Sequence, residues 1–474
     1  MDLKKERKTP SIWYSVFVMI MVIVLIMGGV IVFDASIELM LLITLMATIP
    51  FVLYLGFTFK ELESAMLSMM AKALLPSMII LVVGAMIGAW LISGTVPTLI
   101  YYGIQSISPG YFFATALIFC TIVSVSTGTS WGTMGTAGVA LMGISHGLGL
   151  PPGMSAGAII SGAYFGDKIS PLSDSTNLAA AIMEADLMDH VKHMLWTTMP
   201  AYILTLIVFI VLGLNYGGQE GGSLSNIEVM TEFLASHYDL GLVTLIPLAV
   251  VLLLLVLKKP PVTSIFIGAA LGGLVAIFYQ GAGITETLGT MYDGYAVDSG
   301  IEAVDSLLTQ GGITSMFNLL ALFLFALGLG GLLQESGILQ KFLDTFFSRV
   351  NSVKTLVPTS MVASYIGTAI LGTASASIAL VGTMLKPLYR EQRLKPQNLS
   401  RLMEDTSTQG AVAIPWNGNA IFAAAALGVA PLTFLPFLFL AFFTPIFTLL
   451  YGLTGFTMIK MDKEDEDIEE DFQI

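Results

Sequence analysis

From residue 12 to residue 453 the chain passes through one apolar stretch of about twenty residues after another. Each is long enough to cross a hydrocarbon core ~30 Å thick. Charged residues make up only 11% of the 474, against about a quarter in a soluble domain, so a water-facing surface could not be covered. The expected fold is therefore an all-α polytopic membrane protein. Lys4, Lys5, Arg7 and Lys8 precede the first stretch, Ile12 to Phe33, which exceeds a signal-peptide core of about 7–15 residues and lacks a small-residue cleavage site. It is read as a retained first span.

The net charge of −13 comes largely from the segment Asp462 to Asp471, read as a solvated acidic cytoplasmic tail over 454–474. It carries no information about substrate. Cys120 is the single cysteine, which excludes a disulfide framework or a thiolate cluster. His146, His190, His193 and His237 lack metal-ligand spacing. His190 and His193 are expected to face headgroups or solvent at a span end, with pH sensing as the alternative.

Candidate spans are about 12–33, 37–58, 74–94, 154–183, 195–214, 240–257, 262–280, 316–335, 398–427 and 431–453. Two further apolar segments, about 111–148 and 355–386, are interrupted by Gly, Ser and Thr. Treating both as re-entrant hairpins puts the N-terminal residues 1–11, Lys60, Lys72, Lys258, Lys259 and the group from Lys341 to Arg401 on the cytoplasmic side. The stretches 215–239 and 281–315, which contain no Lys or Arg, then fall outside, as the positive-inside rule requires. A full crossing by either hairpin would misplace one group.

The segment STGTSWGTMGTAG (126–138) is echoed by LGTASASIALVG (371–382), and SPLSDSTNLAAA (170–181) by IPWNGNAIFAAA (414–425), at one shift of 244 residues. A constant register over some fifty residues makes this more than a likeness between Gly- and Ala-rich helices. The chain divides into repeats 12–214 and 240–453, joined by an external loop at 215–239. Each repeat has five spans, a re-entrant hairpin and a broken helix (154–183, 398–427). An odd span count inverts the second repeat relative to the first, the plan of alternating-access carriers with a midplane site.

Each half supplies a Gly/Ser/Thr hairpin tip (126–130, 371–375) and a Pro-broken helix. Proline unwinds the helix and frees carbonyls beside hydroxyl and amide side chains, a hard-oxygen setting suited to Na⁺. Interhelical bonding is the bland alternative for such groups. Ionisable residues within spans are costly and hence functional candidates. Asp174 stands in the Pro171 break and is expected to ligate Na⁺ when ionised and to take up a proton when the cation leaves; Asp174→Asn should then abolish exchange. Asp167 and Lys168 read either as an internal ion pair steadying the broken helix or with Asp167 as a second proton carrier. Glu404 and Asp405 open the ninth span and either line a cytoplasmic proton path or occupy a wet helix entrance. Trp131 and Trp416 pack or wall the site. Gly84 and Gly88 read as ordinary helix packing.

GTSWGTMGTAG together with SGAYFGDKISPLSDSTN resembles the sodium–proton antiporters of the NhaC type, within the ion-transporter superfamily, over most of the chain. The resemblance implies homodimers in which a scaffold domain carries a moving, elevator-like transport domain. Carried across, it marks Thr129, Ser173, Asp174, Ser175 and Asn177 as sodium-site residues of the first half. Thr373, Ser375, Asn417 and Asn419 are their counterparts in the second. Gly418 stands where the first half has Asp174, so the half-sites are not chemically equivalent. Relatives that exchange sodium and lactate for malate and protons share these motifs; an organic anion needs a cation or a donor array, and Lys168 is the cation expected in a span core.

The leading expectation is exchange of intracellular Na⁺ for external H⁺ in the inner (plasma) membrane, with both termini cytoplasmic. No cofactor and no nucleic-acid partner are expected; Na⁺, H⁺ and, in the alternative, lactate or malate are the substrates. An intramembrane enzyme is a remote alternative, lacking HExxH or paired catalytic Asp residues; Ser145 and His146 are adjacent and diverge on a helix. A channel would share the polar hairpins but show no counter-transport.

Overall fold

The computed structural model describes residues 7–217, 223–300, 304–305, 308–348 and 350–461. The expected acidic stretch Asp462 to Asp471 lies outside the described residues. Helices account for nearly all of the rest, and the bridges Tyr295–Gln310 and Leu394–Lys460 are isolated. Among the described residues seven helices are long and apolar enough to cross a membrane, or nine if two sharply bent pairs each count once. The protein is a multi-pass membrane protein. Four of the ten expected spans are not covered by one such helix: the two broken helices, whose pieces Pro152–Ile169, Asp174–Met183, Pro396–Met403 and Gly418–Leu427 are singly too short or too polar, and 240–257 and 431–453, where Ile246–Val256 and Phe439–Thr454 are too short. Conversely, Pro109–Thr127, the first arm of the expected hairpin, has the length and composition of a span.

Local chemistry explains where helices start. The third span begins at Phe59 and not near 74, because Thr58 and Glu61 form a capping box. It runs through a tight turn at Ala71–Ala73 into Leu74–Ile92. Short helices Thr95–Ser106, Ile284–Asp293 and Ile338–Phe347 occupy stretches expected as connections, and Ser223–His237 occupies the expected external loop.

The breaks recur at the 244-residue register. Gly128 (φ 72°) ends the helix Phe112–Thr127, and Gly372 (φ 68°) ends Val353–Leu371. Thr129 and Thr373 follow in extended conformation, and each hydroxyl caps the next helix by accepting from the backbone N–H of Gly132 or Ala376 at 3.2 Å. Both broken helices resume as Asp174–Met183 and Gly418–Leu427, closed by left-handed Glu184 (φ 61°) and Gly428 (φ 67°).

Glycines set the distance between the first hairpin and the first broken helix. A Cβ at Gly162 would meet the Leu117 carbonyl, and one at Gly166 the backbone of Val125. The two helices therefore pack backbone to backbone, and Ser124 Oγ donates to the Ala163 carbonyl at 2.5 Å. Gly84 meets a loop, whereas Gly88 packs, as expected, against a helix, Ile284–Asp293. They admit the backbones of Gly312 and Thr290, and Gly84 O accepts from Gly312 N at 2.8 Å. Large apolar side chains remain on the outer surface, such as Trp13 (82% exposed) and Phe278 (83%), as expected of helices facing lipid.

Candidate cation-binding site

Pro171 ends the helical run, and Ser170 to Ser173 cross the gap before Asp174 restarts it. This loop lies against the tip of the first hairpin, where Gly128 approaches Leu172. Asp167, in the last turn before the break, joins the two. Its Oδ2 accepts from Ser130 Oγ at 2.6 Å and its Oδ1 from Ser173 Oγ at 2.6 Å. Ser173 Oγ in turn contacts Ser175 Oγ at 3.2 Å. Thr176 Oγ1 donates to Lys168 O at 2.9 Å, and Asn177 Nδ2 to the carbonyls of Pro171 (2.9 Å) and Ser173 (2.7 Å). The first half-site is thus one carboxylate in a ring of hydroxyls, with amide and hydroxyl donors holding the freed carbonyls. Asp174 and Asn177 lie on the exposed side of the restarted helix, with Ser173 buried and Ser175 half-buried.

The second half-site is tied without a carboxylate. Gly418 N donates to Gly372 O at 3.0 Å, and Asn417 Nδ2 to Thr368 O at 3.0 Å. Asn417 Oδ1 caps the restarted helix through Asn419 N at 3.1 Å. Thr373 is half-buried and Ser375 exposed. Trp416 Nε1 donates to Ala369 O at 2.7 Å. Trp131 links the halves: its indole N–H donates to Asn419 Oδ1 at 2.8 Å, and its ring stacks on Phe422 with centroids 4.2 Å apart.

The structure corrects three expectations. Asp167 and Lys168 form no ion pair with each other, because adjacent helical residues face different ways; the Lys168 ammonium bonds Asp405 of the second broken helix, both side chains being fully buried. Asp405 also accepts from Thr197 (3.1 Å) and Thr448 (2.6 Å). Secondly, Glu404 and Asp405 occupy no wet entrance: both are fully buried in a π-helical turn, Glu404–Thr408. The neighbouring Thr406, Ser364, Ser407 and Ser377 form a chain of hydroxyl contacts of 2.6–3.0 Å into the second hairpin. Thirdly, His190 and His193 are buried, not headgroup-facing. His190 Nδ1 meets Ser400 Oγ at 2.7 Å, and His193 Nε2 meets Arg401 at 3.0 Å. Helix Pro396–Met403 and Thr457 cover them.

Sequence reasoning missed Ser130, although it lies in a quoted motif, because its partner Asp167 is 37 residues away. It also missed Thr197 and Thr448, which no spacing links to Asp405, and Arg401, which is 1% exposed where an interfacial cation was expected.

The model for the Na⁺/H⁺ antiporter family matches residues 162–456, which hold the breaks of both broken helices and the segment 355–386. The chain is 37% identical over 452 residues to the malate-2H⁺/Na⁺-lactate antiporter of Bacillus subtilis, covering 95% of this chain and 96% of that one. It is 34% identical over 450 residues to the Na⁺/H⁺ antiporter NhaC of Alkalihalophilus pseudofirmus (95% and 97%). It is 32% identical over 413 residues to the arginine/ornithine antiporter ArcD of Halobacterium salinarum (86% and 85%). Along nearly its whole length, then, and through the helices that build the carboxylate–hydroxyl site, the chain belongs to the Na⁺/H⁺ antiporter family.

Proposed function

We propose that this chain exchanges intracellular Na⁺ for external H⁺ by alternating access. The observation that carries the reading is the Asp167 carboxylate held at 2.6 Å by Ser130 of the hairpin tip and at 2.6 Å by Ser173 of the helix break. A hydroxyl that donates its proton to a carboxylate still offers lone pairs to a cation. Ser130, Ser173 and Ser175 therefore present hard oxygens around a negative charge, the ligand type that Na⁺ prefers. In the sodium-loaded state the carboxylate is ionised. In the proton-loaded state it carries H⁺ and the cation is gone. The same atoms cannot hold both, so the ions compete. Asp174 and Asn177, on the exposed side, receive the incoming cation together with Thr129. Thr373, Ser375, Asn417 and Asn419 are the second half's contribution.

The wider scheme belongs to the same proposal: two inverted repeats, a transport domain carrying both hairpins, a homodimeric scaffold, and both termini in the cytoplasm. The matched breaks at Gly128 and Gly372 and the distribution of Lys and Arg support it.

A second reading, Na⁺-coupled exchange of lactate for malate and protons, is favoured by the name of the Bacillus subtilis relative. Proteoliposomes with a trapped pH dye and an acid interior separate the two. Alkalinisation on adding Na⁺ alone establishes cation–proton exchange. Silence with Na⁺ alone, relieved by lactate outside and malate inside, establishes the organic-acid carrier and overturns the leading function.

A further inference from the structure

Glu404 is the most anomalous polar group among the described residues. It is fully buried, and neither carboxylate oxygen has a hydrogen-bond partner. An ionised carboxylate in that condition costs several kcal/mol or more unless something neutralises it. The buried cations Lys168 and Arg401 bond other groups: Lys168 pairs with Asp405, and Arg401 Nη1 meets His193 and donates to Thr457. The restarted helix Asp174–Met183 of the first half packs against the π-helical turn that carries Glu404. Thr408, four residues on in the same π-helical turn, is buried with its own hydroxyl unpartnered. The next residue, Gln409, has both amide atoms unpartnered and shares a water-sized cavity with the unpartnered hydroxyls of Ser161 and Tyr164. Buried polar atoms are satisfied in the great majority of cases, and a cluster of exceptions marks a missing water or ion. π-helical turns are frequent at functional sites.

We propose that Glu404 is a direct ligand of the transported cation, so that the site opened by Asp167 in the first half is closed by a second carboxylate from the other half. The inference rests on the reading of the chain as a Na⁺ carrier. Ser175 touches Ser173 on the Asp167 side (3.2 Å), and the restarted helix that carries it packs against the π-helical turn Glu404–Thr408. A Na⁺ ion there draws on Asp167, Ser173, Ser175, Glu404 and Thr408, all hard oxygens. It neutralises a carboxylate that is fully buried with no hydrogen-bond partner for either oxygen. Because the ligands come from both broken helices, the ion ties the halves together as it binds.

The test is titration of the purified full-length chain with NaCl against a choline chloride background, read by calorimetry and by the Na⁺-dependent rise in Tm. Glu404→Gln is expected to weaken Na⁺ binding by about tenfold or more, the scale of losing a charge-assisted contact, and to remove most of the Tm rise. Glu404→Asp is expected to retain part of both, and Thr408→Val to weaken binding less than Glu404→Gln. Na⁺ binding by Glu404→Gln equal to that of wild type overturns the inference. Should Glu404→Gln fail to fold, the other two variants decide, and wild-type affinity in both overturns it. Exchange by the wild-type chain in proteoliposomes tests the underlying function separately. A wild type that binds Na⁺ but moves no proton ends the exchange reading and leaves the ligand assignment standing or falling on the titration.

Discussion

Lys168 and Asp405, one on each broken helix, form a fully buried ion pair whose carboxylate also accepts from Thr197 and Thr448. Burying two charges is repaid only when the remaining hydrogen-bonding positions are filled, and Thr197 and Thr448 do this for the carboxylate. The pair fastens the first broken helix to the second one residue from Asp167 and one residue from Glu404.

Breaking this pair should therefore be worse than deleting it. Lys168→Met or Asp405→Ala leaves one buried charge unpaired and is expected to cost about 3–5 kcal/mol, seen as a marked fall in Tm in detergent. The double variant Lys168→Met/Asp405→Leu should recover a substantial part of that loss. A double variant as unstable as the sum of the singles would show that the two residues do not act as a pair.

The carboxylates of the first half-site should separate in kinetics. Asp167→Asn is expected to abolish Na⁺-driven proton movement in proteoliposomes. Ser130→Ala and Ser173→Ala each remove a hydrogen bond to a charged group, worth about 1.5–3 kcal/mol, and should weaken Na⁺ affinity by about tenfold or more. The sequence alone predicts that Asp174→Asn abolishes exchange; with Asp174 on the exposed side and the hydroxyls held by Asp167, that variant should instead raise the KM for Na⁺ with little change in kcat. If Asp174→Asn is inactive while Asp167→Asn exchanges normally, the proton belongs to Asp174.

The hairpin tips predict an asymmetry. At Gly128 (φ 72°) a Cβ would lie 2.7 Å from Leu172 Cβ and 2.9 Å from its carbonyl carbon, whereas at Gly372 (φ 68°) the nearest atom is at 3.3 Å. Both substitutions by Ala carry the left-handed cost of about 1–2 kcal/mol. Gly128→Ala should additionally push Ser130 off Asp167. It is expected to lose more Tm, and far more Na⁺ affinity, than Gly372→Ala.

At the end of the first broken helix, Glu184 receives Lys386 at 2.5 Å and Arg390 at 2.8 Å from the second hairpin. The Lys386 ammonium beside it, with Arg390 assisting, holds its carboxyl below the usual range. A depressed carboxyl contributes stability above its unfolded pKa of about 4.3, and that contribution is lost as pH falls through the lower folded value. The glutamate is more than half exposed (58%), so the screened pairs are worth about 0.2–1 kcal/mol. Glu184→Gln should lower Tm slightly at pH 7 and low salt. The difference from wild type should vanish in 1 M salt, where the Debye length is about 3 Å, and at pH values below the folded pKa. A difference that persists in both conditions would locate the effect elsewhere.

Much of this protein was legible in the amino-acid order, because lipid allows few backbone solutions. Apolar length announced the spans. The 244-residue register located the paired helix breaks at Gly128 and Gly372, and Pro171 and Pro415 marked two further breaks near the positions where the helices stop. The motif GDKISPLSDSTN marked Asp167, Ser173, Asp174 and Ser175 as candidates but put Asp174 at the centre; the bond from Ser173 to Asp167 appears only in the fold. Those features are local, written in residues that touch their own turn of chain. What the tertiary structure decided was partnership across the fold. Nothing in the sequence says that Lys168 will answer Asp405, 237 residues on, and not the adjacent Asp167. Nor does it say that Trp131 will reach Asn419, that Arg401 and two histidines will be covered, or that Glu404 will be buried with no partner of its own. A charge's cost and its role depend on burial and on what stands within a few ångströms of it. Those follow from how the two broken helices pack against each other, which no single stretch of sequence records.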